Sequence, residues 1–146
     1  MSEQPRTGLG RTTARLARVT ERALGELGLS LPQYRVLSLL DEGSAAATAL
    51  ADHLAIGRPH VTAIVDALVA RSWVERRTDP VDRRRVSHGL TEAGRSALAA
   101  ADDAVEARLA GILGQLTVED GRRAAAGLTL WGDALDTARS ARVHTS

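Results

Sequence analysis

The stretch Leu50-Ala51-Asp52-His53-Leu54-Ala55-Ile56-Gly57-Arg58-Pro59-His60-Val61-Thr62-Ala63-Ile64-Val65-Asp66-Ala67-Leu68-Val69-Ala70-Arg71 decides the fold. A short amphipathic segment, Leu50 to Ala55, breaks at Ile56-Gly57, and a longer one begins at Arg58. In the longer segment Val61, Ile64, Val65, Leu68 and Val69 recur at i, i+3, i+4, i+7 and i+8, the spacing of one helix face. Two helices joined by so short a turn read as helix-turn-helix, a motif whose second helix can enter a DNA major groove.

The residues that follow extend the reading. Val74-Glu75-Arg76-Arg77 reads as a short strand and Val86 to Leu90 as its partner. Between them Thr78-Asp79-Pro80-Val81-Asp82-Arg83-Arg84-Arg85 forms a turn-rich, arginine-rich tip. A helix-turn-helix followed by a basic hairpin makes a winged helix. From Arg71 to Arg85 there are six arginines against Glu75, Asp79 and Asp82, so positive charge concentrates here although the whole chain carries only +1.

This order of elements resembles the multiple-antibiotic-resistance regulator (MarR) family of bacterial transcription factors. The matching residues are Leu50-Ala51, Val61-Thr62, Val65-Asp66-Ala67-Leu68, Val74-Glu75-Arg76, Asp79-Pro80-x-Asp82-Arg83-Arg84 and Leu90-Thr91-x-x-Gly94. The wing motif followed at fixed distance by Leu-Thr is its most specific part, and the likeness extends more loosely from Leu9 to Ala138. It implies a mainly α fold with a small β-hairpin wing, in the order α1-α2-α3-α4-β-wing-β-α5-α6. The expected organisation is one domain over residues 1–146. Its DNA-binding winged helix-turn-helix lobe spans 31–91, and a helical dimerisation lobe is built from 9–29 and 92–142.

The resemblance also assigns roles. Arg58, His60, Thr62 and Ala63 match positions that meet the major groove. Arg58 suits a guanine or a phosphate, His60 and Thr62 are short donors near base edges, and Ala63 fits a thymine methyl. Gly57 at the cap and Pro59 in the first turn leave a helix N-terminus open to a phosphate. In the wing, Asp82 matches an acid that braces the loop and Arg84 an arginine that enters the minor groove. Arg83, Arg84 and Arg85 are three candidates for that role; we assign it to Arg84 and a phosphate contact to Arg83. Taken alone, the helix face would be an ordinary exposed one and the tip a solvated charged turn; their juxtaposition favours the DNA reading.

The remaining segments support a helical frame. Met1 to Gly8 is polar and expected to fray. Leu16, Val19, Ala23 and Leu27 mark a first helix over Leu9 to Leu27. Its other side carries Arg11, Arg15, Arg18 and Arg22, a solvated face in preference to an anion-binding stripe. Ser30 and Pro32 start a second helix that runs to Glu42, with Tyr34, Leu37 and Leu40 inward. Ser44 or Thr48 is expected to cap the next. After the wing, Thr91-Glu92 opens a long helix whose apolar side is Leu98, Val105, Leu109, Ile112 and Leu116. Thr117 caps a last helix, on which Leu128, Trp131, Leu135 and Ala138 keep helical spacing to Arg142. Apolar stripes at both ends of a small domain point to an interface, and Trp131 reads as dimer core before ligand cage.

Three features stay open at this level. His88 sits where the family prefers a β-branched residue: an inward histidine with a partner, a protonation-sensitive defect, or a sign that the second strand is short. The first is favoured. Tyr34 reads as core, but it is the only phenol near the place where relatives hold aromatic carboxylates, and is the candidate ligand contact. All nineteen cationic residues are arginine, which reflects a G- and C-rich genome more than a functional choice.

Enzyme chemistry finds no support. The chain has no cysteine, and His53, His60, His88 and His144 are scattered without metal-ligand spacing, so no metal site, cofactor or catalytic residue is expected. No signal core or membrane-length apolar run occurs, which predicts a cytoplasmic protein. The expected partners are double-stranded DNA with a pseudo-palindromic operator, a second copy in a homodimer, and a small aromatic or lipophilic acid as effector. Two rivals are a DNA-binding architectural protein that senses no ligand and a winged helix used only for protein contact.

Overall fold

The computed structural model describes residues 8–143. The elements are α1 (Leu9–Gly25), α2 (Leu31–Asp41), α3 (Ala47–Leu54), α4 (Arg58–Ala70), β1 (Val74–Thr78), β2 (Val86–Leu90), α5 (Glu92–Leu113) and α6 (Val118–Val143). The element order is the expected one. The fraying expected of the N-terminus and the position of His144 lie outside the described residues. The chain divides into a compact unit ending at Glu106 and a second one starting at Ala107.

In the first unit, apolar periodicity becomes a closed core. Val61, Ile64, Val65 and Leu68 of α4 are buried with Val36, Leu37 and Leu40 of α2 and Leu50, Ala51 and Leu54 of α3. Val74 and Leu90, paired across the hairpin, are buried as well. With no phenylalanine available, Leu, Val and Ala fill the core, and their small volume lets helices approach closely.

Local chemistry sets most boundaries. Ser30 and Gln33 form a reciprocal capping box, Ser30 Oγ accepting from Gln33 N at 3.2 Å and Gln33 Oε1 from Ser30 N at 3.0 Å, with Pro32 in the first turn. Thr91 Oγ1 accepts from Gly94 N at 3.0 Å and Thr117 Oγ1 from Asp120 N at 3.2 Å, as the two expected caps require. α1 ends at Gly25, two residues before Leu27, because Leu29 N turns back to the Leu24 carbonyl and Gly28 takes φ +69°. α5 likewise stops at Leu113, so Leu116 lies in the turn before α6.

The start of α3 departs from expectation. Its N-cap is Ala46, with no side-chain cap, and Thr48 already lies inside the helix. Ser44 instead accepts from Arg77 Nη1 at 3.3 Å. The reason is the neighbouring Ala45, whose N–H and C=O pair with the backbone of His88 at 3.0 and 2.7 Å. That short bridge ties the approach to α3 onto the edge of β2.

The turn of the helix-turn-helix also differs in detail. Ala55, not Gly57, takes the left-handed conformation, at φ 54°, and Ile56 N returns to the Ala51 carbonyl. Gly57 is extended and serves as N-cap of α4.

In the second unit α6 runs for 26 residues. Leu128, Leu130, Trp131 and Leu135 are exposed along it. Among the described residues no helix is long and apolar enough to cross a membrane.

Candidate nucleic-acid interface

α4 presents its expected outer face. Arg58, His60, Thr62 and Ala63 are exposed, while Val61, Ile64, Val65 and Leu68 are buried beneath them. The N-cap Gly57 makes no side-chain cap and Pro59 has no N–H, so the helix start keeps its positive end uncapped by side chains. Thr62 Oγ1 donates to the Arg58 carbonyl at 3.0 Å. Its proton is therefore committed to the helix, and toward a base edge the hydroxyl offers lone pairs. The sequence reading had it as a donor.

The wing is an antiparallel pair with Val74 opposite Leu90 and Thr78 opposite Val86. Its tip is braced by two carboxylates. Asp82 Oδ1 accepts from Arg84 N at 3.1 Å, so the bracing acid acts on the backbone of Arg84. Asp79 Oδ1 accepts from Val81 N at 2.8 Å and from Asp82 N at 3.1 Å. The Asp82 and Val81 amides hold the Asp79 carboxyl below its usual pKa. Sequence reasoning named only Asp82 as a brace. Asp79-Pro80-Val81-Asp82 carried the signal for the other, since an aspartate commonly bonds the amide two residues on.

The six arginines of the basic stretch are not equivalent. Arg76 on β1 pairs with Asp66 on α4. Arg77 pairs with Glu75 and reaches Ser44. Arg71 Nη1 donates to the Gly28 carbonyl at 2.8 Å, and Arg85 Nε lies 3.8 Å from Asp82 Oδ2. Arg83 and Arg84, both exposed at the turn, form no ion pair among the described residues. Within this stretch three arginines, Arg76, Arg77 and Arg85, lie beside carboxylates, and Arg83 and Arg84 are the pair at the tip left without one among the described residues. All these residues belong to the first compact unit.

His88 is an inward residue, 6% exposed, with Nδ1 3.2 Å from the Ala45 carbonyl. β2 runs its full length through it and Gly89, so the short-strand alternative falls away. A Cβ at Gly89 would lie 3.1 Å from Ser44 Oγ, which shows how tightly the α2–α3 linker lies against the hairpin.

Tyr34 does not stand free. Its hydroxyl donates to Asp102 Oδ1 at 2.5 Å, tying α2 to α5 within the first unit. Burial first, and then the Asp102 carboxylate, push the phenol pKa well above its usual value. Among the described residues no cluster of His, Asp or Glu is arranged to hold a metal ion.

Comparison with known proteins shows what this geometry resembles. A model described as MarR family matches residues 29–86, from the turn before α2 to the first residue of β2. Over 71 residues the chain is 37% identical to YpoP, an uncharacterised helix-turn-helix-type transcriptional regulator of Bacillus subtilis (strain 168). That alignment covers 48% of this chain and 50% of YpoP, so the match spans about half of the relative's length. Among solved structures, a MepR variant of S. aureus bound to an oligodeoxyribonucleotide superposes with TM-score 0.66 and 22% identity, covering 91% of this chain and 99% of that one. Rv2887, a MarR family protein of Mycobacterium tuberculosis in complex with p-aminosalicylic acid, gives TM-score 0.72 and 25% identity over 89% and 99%. The family model thus lies across the helix-turn-helix and the wing, and these folds follow the chain over most of its length, so the chain is similar to MarR family proteins in its winged helix-turn-helix and shares their fold.

Proposed function

We propose that this chain is a sequence-reading transcriptional regulator that binds a pseudo-palindromic operator as a homodimer in the cytoplasm, without catalytic chemistry. One observation carries the reading. The exposed α4 face of Arg58, His60, Thr62 and Ala63 shares a compact unit with a wing whose tip holds Arg83 and Arg84 without an ion pair among the described residues. α4 supplies the base-edge contacts, and Arg84 enters the minor groove beside Arg83 on phosphate. The oligodeoxyribonucleotide complex of the MepR variant supports DNA as the partner.

Residues 31–91 form the DNA-binding lobe in this reading, while 9–29 and 92–142 form the dimerisation lobe. The apolar side chains exposed on α6, Trp131 above all, support an interface there. The p-aminosalicylic acid complex of Rv2887 supports a small aromatic or lipophilic acid as effector, with Tyr34 as its candidate contact. Such a ligand releases DNA only if it binds the DNA-incompetent arrangement of the dimer more tightly than the competent one.

Selection of bound duplexes from a random pool, at two salt concentrations, tests the central claim. The expected product is one inverted repeat whose half-sites lie about one helical turn apart. Binding with no recovered motif, vanishing as salt rises, would reduce the protein to phosphate attraction and overturn the reading. Thermal-shift screening of aromatic acids with the recovered operator then tests the effector. The expected effect is a rise in melting temperature that operator DNA opposes.

A further inference from the structure

The three residues after α4 join four parts of the first unit. α4 ends in a Schellman turn, with Ser72 at φ 61° and Trp73 N donating to the Leu68 carbonyl at 3.1 Å. The Ser72 carbonyl accepts from Thr91 Oγ1 at 2.6 Å, and the Trp73 carbonyl from Thr91 N at 3.1 Å, which fixes the start of α5 beside the root of the wing. Arg71 extends the joint in the other direction. Its guanidinium lies 3.5 Å over the Trp73 ring, and Nη1 donates to the carbonyl of Gly28, in the turn between α1 and α2. That turn is held by the left-handed Gly28, at φ +69°.

We propose that Arg71 is a positioning residue for DNA reading: it clamps the end of the recognition helix to the α1–α2 turn and so sets the angle at which α4 meets the groove. The inference rests on the proposed DNA-binding function. Its motive is the odd environment of this arginine. It lies in the basic stretch, yet its partners are a neutral carbonyl and an indole, which a planar guanidinium meets together by stacking on the ring while an N–H points at the carbonyl. Leverage gives the clamp its importance. α4 has 13 residues, roughly 20 Å at ~1.5 Å per residue. Pivoting it by about 10° at Arg71 moves its first turn by roughly 3 Å, enough to break base-edge hydrogen bonds that tolerate only a few tenths of an ångström.

The rival role is a direct phosphate contact, and salt dependence separates the two. The full chain and its Arg71→Lys, Arg71→Met and Trp73→Leu variants would be titrated against the selected operator and a scrambled duplex over a salt series. Melting temperature would be followed in parallel. The expected result is a loss of about tenfold on the operator for all three variants. Scrambled-duplex affinity, melting temperature and salt slope should stay near wild type. The double variant Arg71→Met/Trp73→Leu should lose little more than either single one, since both remove the same clamp.

Full affinity in Arg71→Lys, with a slope reduced by about one in Arg71→Met, would mean that charge alone matters and would overturn the proposal. Unchanged operator affinity in all three variants would overturn it as well. If the wild-type protein does not prefer the operator to the scrambled duplex, the proposed function itself has failed, and this inference with it.

Discussion

The two compact units use the same apolar periodicity to different ends. In the first, α4 places Val61, Ile64, Val65 and Leu68 at helical spacing, and all four are buried against their neighbours. In the second, α6 places Leu128, Trp131 and Leu135 at the same spacing, yet Trp131 is 56% exposed and no described residue from Ala107 on is buried. Periodicity thus identifies a helix and its apolar side but not what covers that side. The first unit buries its α4 stripe within the chain, whereas the second leaves its α6 stripe exposed.

The comparison can be broken from either side. The largest effect is expected at Gly94, where an added Cβ would meet the Trp73 carbonyl oxygen at 2.0 Å. That oxygen belongs to a backbone already held by Thr91, so neither atom can retreat. Gly94→Ala should destabilise the protein by about 3 kcal/mol in urea unfolding. A change under about 1 kcal/mol would mean that the joint after α4 yields more easily than its hydrogen bonds suggest.

Next in size is Trp131→Ala. If the α6 face is the dimer core, self-association should weaken by about 2 kcal/mol, visible as monomer in sedimentation at concentrations where the parent is a dimer. The unfolding of the first unit should be unaffected. An unchanged dimer would show that the exposed face of α6 has another occupant.

The wing sharpens the contrast on a smaller scale. Arg84→Ala should reduce operator affinity by about 1–3 kcal/mol. Arg85→Ala should cost less, because that guanidinium already lies beside Asp82. Equal losses in a competition assay would remove the distinction between free and engaged arginines. The smallest effect is expected at Ser72, a non-glycine residue held at φ 61°. Ser72→Gly should raise stability by about 0.5–1 kcal/mol by removing its left-handed strain, measured as an upward shift of the urea midpoint.

Much of the architecture was legible in the sequence because its causes are local. Helix faces follow from a 3.6-residue repeat, the α2, α5 and α6 starts from hydroxyl caps at Ser30, Thr91 and Thr117, and the hairpin from Asp-Pro turn chemistry between two short strands. Nothing in a window of that size could show that Ala45 would pair with His88, forty-three residues away. For that reason neither Ser44 nor Thr48 caps α3. The left-handed turns at Ala55 and Ser72 were hidden for a related reason: the packing of the helices on either side imposes a conformation for which glycine is the usual signal.

The site divides along the same line. Sequence alone determined which residues α4 turns outward and that the hairpin tip is basic, since each depends on spacing within a few residues; the bracing aspartate came from the family resemblance. Only the tertiary structure decided which charges are free. Asp66 engages Arg76, Ser44 meets Arg77, and Gly28 holds Arg71, across separations of 10, 33 and 43 residues. An arginine's availability to DNA depends on whether a partner lies within the reach of its side chain. That reach is a distance in space, and only the folded chain brings such partners together.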